Sequence, residues 1–165
     1  MSEQLHEPIR VVVTGVGAVT AQGPSADDFW EGVKAGRVAI RPVQRIPMDG
    51  FRTRLAGEVQ QIPVPEHEYR HPEEFRDPVF DFAMKAAEEA MESSGVDTVT
   101  VPAERWGVVI GTCNAGLISG RQWYIGRMAE ETPNPDRLML TPPHALAEAL
   151  SGAFGLKGPA LSIDT

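Results

Sequence analysis

Along this 165-residue chain the spacing of apolar positions changes several times, and each change predicts an element. Residues 9–17 (Ile-Arg-Val-Val-Val-Thr-Gly-Val-Gly) form a β-branched run closed by glycines, which predicts a strand buried on both faces of a largely parallel sheet. A helix is expected next. Ser25 offers an N-cap, Asp28 puts a carboxylate at the positive end of the helix dipole, and Phe29, Trp30 and Val33 make an apolar stripe that Gly36 ends. Residues 37–72 are irregular and dotted with prolines, with one short strand candidate at residues 55–59. The clearest helix starts at Asp77-Pro78, an N-cap followed by a proline whose missing N–H costs nothing there. Val79, Phe80, Ala83, Met84, Ala87, Ala90 and Met91 recur at helical spacing, with Lys85, Glu88, Glu89 and Glu92 on the other side, until Ser94-Gly95 closes it.

Residues 106–111 predict a second buried strand and residues 112–116 a turn of small residues. A helix carrying Leu117, Ile118, Trp123, Tyr124 and Met128 follows, and Thr132-Pro133-Asn134-Pro135 breaks it. A last helix at residues 143–154 leads through a tight Gly-Pro turn into a strand in which Leu161 and Ile163 alternate with small polar residues. The order strand, helix, helix, strand, helix, helix, strand argues for an α/β layered architecture with right-handed crossovers. The final strand reads as interior to a fold. Residues 1–165 are therefore expected to be the first portion of a larger domain, with no internal boundary.

Composition narrows the partners. The chain is 42% hydrophobic, enough for a core, and its net charge of −8 disfavours nucleic acid or an anionic membrane and fits a soluble cytoplasmic protein. The acidic residues are scattered and read as a solvated surface. A single cysteine, Cys113, excludes an internal disulfide framework and a zinc site of several thiolates. The N-terminal residues lack the basic and apolar regions of a signal peptide, and no apolar run is long enough to span a membrane.

The residues alone carry little chemistry. Gly15, Gly17 and Gly23 suggest a dinucleotide-binding turn, but Thr20 stands where that pattern needs glycine or alanine and no acidic residue follows at the required distance. Close backbone packing in a tight turn accounts for these glycines, and no cofactor is expected. Cys113 follows a strand and would need a base to act as a nucleophile. Of the four histidines only His144, at the start of the last helix, has a position that could face a site, and both residues read as structural. No carboxylate pair, metal-ligand cluster or Ser-His-Asp set stands out, so no metal is expected.

Together, the runs Val11-Val12-Val13-Thr14-Gly15-Val16-Gly17-Ala18-Val19-Thr20 and Gly158-Pro159-Ala160-Leu161-Ser162-Ile163-Asp164-Thr165 resemble the β-ketoacyl-acyl-carrier-protein synthases, the condensing enzymes of fatty acid and polyketide synthesis. Five more segments fall in the family's order between them: residues 29–36, 55–59 and 81–90, the strand at 107–112, and the helix and turn at 142–159. The resemblance implies a thiolase-like α-β-α-β-α layered fold of which this chain supplies most of the N-terminal half. It also implies a nucleophilic cysteine just after Thr165 and two catalytic histidines further on, so no catalytic residue is expected among these 165. The family mechanism passes an acyl group from a carrier-protein phosphopantetheine to that cysteine, decarboxylates a malonyl unit with the histidines stabilising the enolate oxygen, and joins the two carbons.

By the same resemblance Thr112, Cys113 and Asn114 belong to a loop lining the acyl pocket near a dimer axis. Cys113 and Asn114 depart from the glycines and small apolar residue usual there. A polar Asn114 disfavours a long saturated chain and points to a short, functionalised or polyketide-like substrate, as does the Asp164-Thr165 ending. The implied partners are the complementary C-terminal half carrying Cys-His-His, an acyl carrier protein bearing acyl and malonyl groups, and a second copy in a homodimer paired along the strand at 107–112. Without its complement the inner face of the sheet is expected to be exposed. The alternative is a non-catalytic chain-length-determining subunit with another residue in place of the cysteine.

Overall fold

The computed structural model describes residues 10–72 and 75–164, so Ile9 and Thr165, the outer ends of the first and last expected strands, lie outside it. Helices α1 (Ala26–Lys34), α2 (Pro78–Ser94), α3 (Leu117–Met128) and α4 (Ala145–Ala153) alternate with strands β1 (Arg41–Pro42), β2 (Leu55–Ala56), β3 (Val108–Thr112) and β4 (Ala160–Asp164) in an α/β arrangement. The caps are those the sequence offers. Ser25 Oγ accepts from the Asp28 N–H at 3.1 Å to start α1. Asp77 and Pro78 start α2, and Gly95, at φ 63°, ends it.

β3 and β4 are parallel and level, from Val108 opposite Ala160 to Thr112 opposite Asp164. One face of the pair, through Val108 and Ile110, packs on the cluster of Tyr69, Phe80, Met84, Leu140, Leu146 and Leu150. Phe80 and Met84 are each 1% exposed, and burying side chains of this size stabilises by about 1.5–3 kcal/mol apiece. The opposite face is open: Val109, Leu161 and Ile163 are 63%, 55% and 60% exposed. This agrees with the expected uncovered inner surface.

Three expectations need correction. Val11, Val12 and Val13 pair with no strand among the described residues and are exposed, whereas the residues that follow them, 15–18, lie against α2. The Val16 N–H donates to Ser93 Oγ at 3.0 Å and the Ala18 N–H to Glu89 Oε2 at 2.8 Å. Gly15 and Gly17 are thus packing glycines, as expected, but against a helix instead of within a turn: a Cβ on Gly17 would stand 1.9 Å from the Ala86 carbonyl oxygen. The strand expected at residues 55–59 shortens to β2 and acquires an unexpected antiparallel partner in β1. The stripe on α1 is uncovered, with Trp30 58% exposed, and the buried residue of that helix is Gly32.

The acidic side of α2 is not simply a solvated surface either. Glu88 accepts from the backbone N–H groups of Glu66 and His67, from His67 Nδ1 at 3.0 Å and from Lys85 Nζ at 3.1 Å. Glu89 accepts from the Ala18 and Ala26 N–H groups. Asp81, also buried, accepts from Tyr69 Oη at 3.2 Å and Arg76 Nη2 at 2.9 Å. Three carboxylates of one helix therefore fasten two irregular segments that have little regular structure of their own.

Candidate functional site

The level ends of β3 and β4 create the site. In open α/β sheets ligands bind in the crevice beyond the carboxyl ends of the strands. Beyond Thr112 and Asp164 lies a cavity of about 260 Å³, lined by those two residues with Cys113, Asn114, Arg121 and Thr141 among others. Thr112 is half-buried, and Cys113 and Asn114 are exposed at the turn leaving β3. The turn closes when the Leu117 N–H donates to the Asn114 carbonyl at 3.2 Å. Gly116, at φ 72°, then starts α3 where a Cβ would stand 1.8 Å from the Leu140 carbonyl oxygen, so only glycine fits there.

A single buried carboxylate anchors this corner. Asp77 is 1% exposed; its Oδ1 accepts from the Val79 N–H at 3.3 Å at the start of α2. Its Oδ2 accepts from Ser119 Oγ at 2.8 Å and the Ser119 N–H at 3.1 Å, in the first turn of α3. Asp77 thereby serves the N-termini of two helices, and the loop at 112–116 is held between β3 and a helix fixed to α2.

The structure brings Thr112, Cys113 and Asn114 together on this cavity. Asn114 Nδ2 lies 3.3 Å from Cys113 Sγ, and no hydrogen bond links that sulfur to a histidine among the described residues. Cys113 is solvent-exposed instead of packed as a structural thiol, which corrects the reading from sequence. His144 is exposed at the N-cap of α4 and is absent from the cavity lining. Sequence reasoning missed Arg121, Thr141 and Asp164 as lining residues. Asp164 ends a strand that the sequence does show, but that this strand ends level with β3 is seen only in the structure.

A larger cavity, about 740 Å³, opens beside the acidic side of α2 and is lined by Glu66, His67, Lys85, Glu88 and Glu89 among others. Glu88 and Glu89 are already committed to backbone N–H groups. Burial works to raise the pKa of Glu88, yet the hydrogen bonds from His67, Lys85 and the Glu66 backbone outweigh it and hold it below its ordinary value. Among the described residues no group of three His, Cys, Asp or Glu side chains is placed to hold a metal ion, and no helix is long and apolar enough to cross a membrane. The smaller cavity at the strand ends is therefore the candidate site.

Comparison with known proteins identifies the family. Residues 9–165 match the family described as beta-ketoacyl synthase, N-terminal domain, and the chain belongs to that family. Among curated relatives, 3-oxoacyl-(acyl-carrier-protein) synthase 2 of Coxiella burnetii is 31% identical over 96% of this chain and 39% of its own length. The tetracenomycin polyketide synthase ketoacyl synthase alpha subunit of Streptomyces glaucescens is 36% identical over 68% of this chain and 27% of its own. Among solved structures, the ishigamide ketosynthase/chain length factor superposes with a TM-score of 0.79 at 21% identity, covering 93% of this chain and 39% of that one, and establishes the thiolase-like ketosynthase fold. The chain thus spans less than half the length of the relatives it matches.

Proposed function

We propose that residues 1–165 form, as one unit, the N-terminal portion of a β-ketoacyl-acyl-carrier-protein synthase of polyketide or fatty acid biosynthesis. In this reading a cysteine thiolate outside these residues attacks the carbonyl of a carrier-bound acyl thioester, and the phosphopantetheine thiol leaves with a proton. A malonyl thioester then loses carbon dioxide to give an enolate, whose oxygen two histidines outside these residues stabilise. The enolate carbon attacks the acyl-enzyme, the cysteine thiolate is released, and the β-ketoacyl product remains on the carrier. Residues 1–165 are inactive without the complementary part that carries the Cys-His-His set. The working assembly is a cytoplasmic homodimer served by an acyl carrier protein.

Thr112, Cys113 and Asn114 line the acyl pocket in this reading, and their gathering at the ends of β3 and β4 is the observation that carries it. Polar groups there favour an oxygenated or short acyl chain over a long saturated one, since an alkyl chain leaves them without partners. The family relative from Streptomyces glaucescens supports a polyketide pathway. Likeness to a ketosynthase/chain length factor keeps a second reading in view, a non-catalytic partner subunit.

The test is to incubate the complete polypeptide containing these residues with a carrier-bound acyl thioester, then measure intact mass and map the peptides. An acyl adduct on a cysteine other than Cys113, consumed on adding malonyl-carrier, is the expected result. No adduct, with glutamine or glycine at the second position after Thr165, would establish the partner subunit instead. An adduct on Cys113 would overturn both readings.

A further inference from the structure

Two charged side chains, Arg121 and Asp164, line the cavity beyond β3 and β4, and neither has a hydrogen-bond or ion-pair partner among the described residues. Asp164 ends β4, and Arg121 stands one turn into α3. Gly116, Leu117, Gly120 and Arg121 recur at three- and four-residue spacing, which puts them on one face of that helix, and each of them lines the cavity. The two glycines leave the backbone bare on this face. The wall opposite closes in on it: a Cβ on Gly120 would stand 3.2 Å from Thr141 Cγ2.

The next arginines along the chain are spent on the fold. Arg127 Nη1 donates to the Glu131 carbonyl at 3.5 Å, and Arg137 donates to Gln122 Oε1 with its guanidinium 5.0 Å from the centre of the Phe75 ring. Two neutral donors on the cavity are also engaged. Thr141 Oγ1 donates to the Leu138 carbonyl at 2.8 Å, and Asn114 Nδ2 is turned to Cys113 Sγ at 3.3 Å. Arg121 is left as the uncommitted charged donor, and its N–H groups all donate while none accepts. An occupant carrying acceptor oxygens satisfies it, whereas an alkyl chain displaces its water and returns no hydrogen bond. Asp164 on the same cavity repels an anion, so a neutral acceptor such as a ketone carbonyl fits better than a carboxylate.

We propose that Arg121 is a specificity-determining residue: its guanidinium donates to a ketone oxygen carried on the acyl chain and so selects a keto-bearing chain over its alkyl counterpart. The inference rests on the condensing-enzyme reading, in which this cavity holds the acyl chain. A charged donor shielded from water by the chain itself discriminates strongly, because the wrong chain leaves it desolvated and unpaired.

The experiment measures the rate of acyl transfer from carrier-bound thioesters to the complete polypeptide, followed by intact mass. Hexanoyl is compared with chains of equal length bearing a ketone at the third or the fifth carbon. In wild type one of the keto chains is expected to transfer about tenfold or more faster than hexanoyl. Arg121→Leu is expected to erase that difference, slowing the keto chain and speeding hexanoyl, while Arg121→Lys, a single-point donor, retains a smaller preference. Circular dichroism checks that each variant is folded. Equal rates for keto and alkyl chains in wild type overturn the proposal without recourse to a variant. So does a keto preference that persists in Arg121→Leu, or a chain ending in a carboxylate that outpaces both ketones in wild type. Transfer of no acyl chain to any cysteine overturns the condensing-enzyme reading and this inference with it; transfer whose selectivity ignores Arg121 leaves that reading standing and removes only this residue's role.

Discussion

At the residue scale, Asp77 decides more than its place in the sequence suggests. Read from the sequence it is the N-cap of one helix; in the structure its second oxygen takes both polar groups of Ser119, which is fully buried. That partner lies 42 residues away, and no local pattern encodes it. Asp77→Ala removes a cap and leaves the Ser119 hydroxyl buried without an acceptor, so a loss of about 2–4 kcal/mol is expected in denaturant unfolding of the complete polypeptide. Asn at this position keeps one acceptor and costs less. Equal stability of the Ala variant and wild type would show that α2 and α3 are not joined through this carboxylate.

At the scale of elements, α1 and α2 were legible because they carry their own signals: Ser25, Asp77-Pro78 and Gly95 act within a few residues of the turns they cap. The run at residues 11–13 misled, because a β-branched sequence reports its preference for extended backbone and not whether a neighbouring strand is present. Its glycines report contact with α2. β1 was invisible, being two residues long and half proline, and the short 3-10 turns at Ala103–Arg105 and Pro135–Leu140 carry no periodicity to read. The segment around Glu66 and His67 is bound to α2 through Glu88, and this gives a pH dependence with a definite sign. Glu88 has its pKa lowered from 4.5 in the folded chain, so its contribution is complete above the unfolded value and is lost as pH falls through the folded one. Glu88→Gln should therefore reduce stability at neutral pH and narrow its gap to wild type as the solution is acidified below about pH 4. A gap that stays constant with pH would mean the carboxylate holds nothing.

For the whole molecule, the important fact is that the sheet is covered on one side only. Three large apolar residues of β3 and β4 are open, while the other face meets the core built on α2 and α4. The resemblance made this arrangement readable in advance, since composition alone suits an ordinary complete domain. If the strand at 107–112 pairs across a two-fold axis, Val109→Glu in the complete polypeptide places a charge on that seam. Sedimentation should then show a shift from dimer toward monomer. A variant that stays dimeric would place the axis elsewhere.

The candidate cavity was legible only in part: Thr112, Cys113 and Asn114 came from resemblance, whereas Arg121 and Thr141 arrive through the packing of α3 and the 3-10 turn before α4. The level ending of Thr112 and Asp164 has one more consequence. Adjacent strands sit about 4.8 Å apart, so the backbone sets a fixed gauge for the floor of this crevice. Replacement of Asn114, Arg121 or Thr141 can change the walls and polarity of the slot, while the separation of the two strand ends at its floor stays as the backbone pairing sets it.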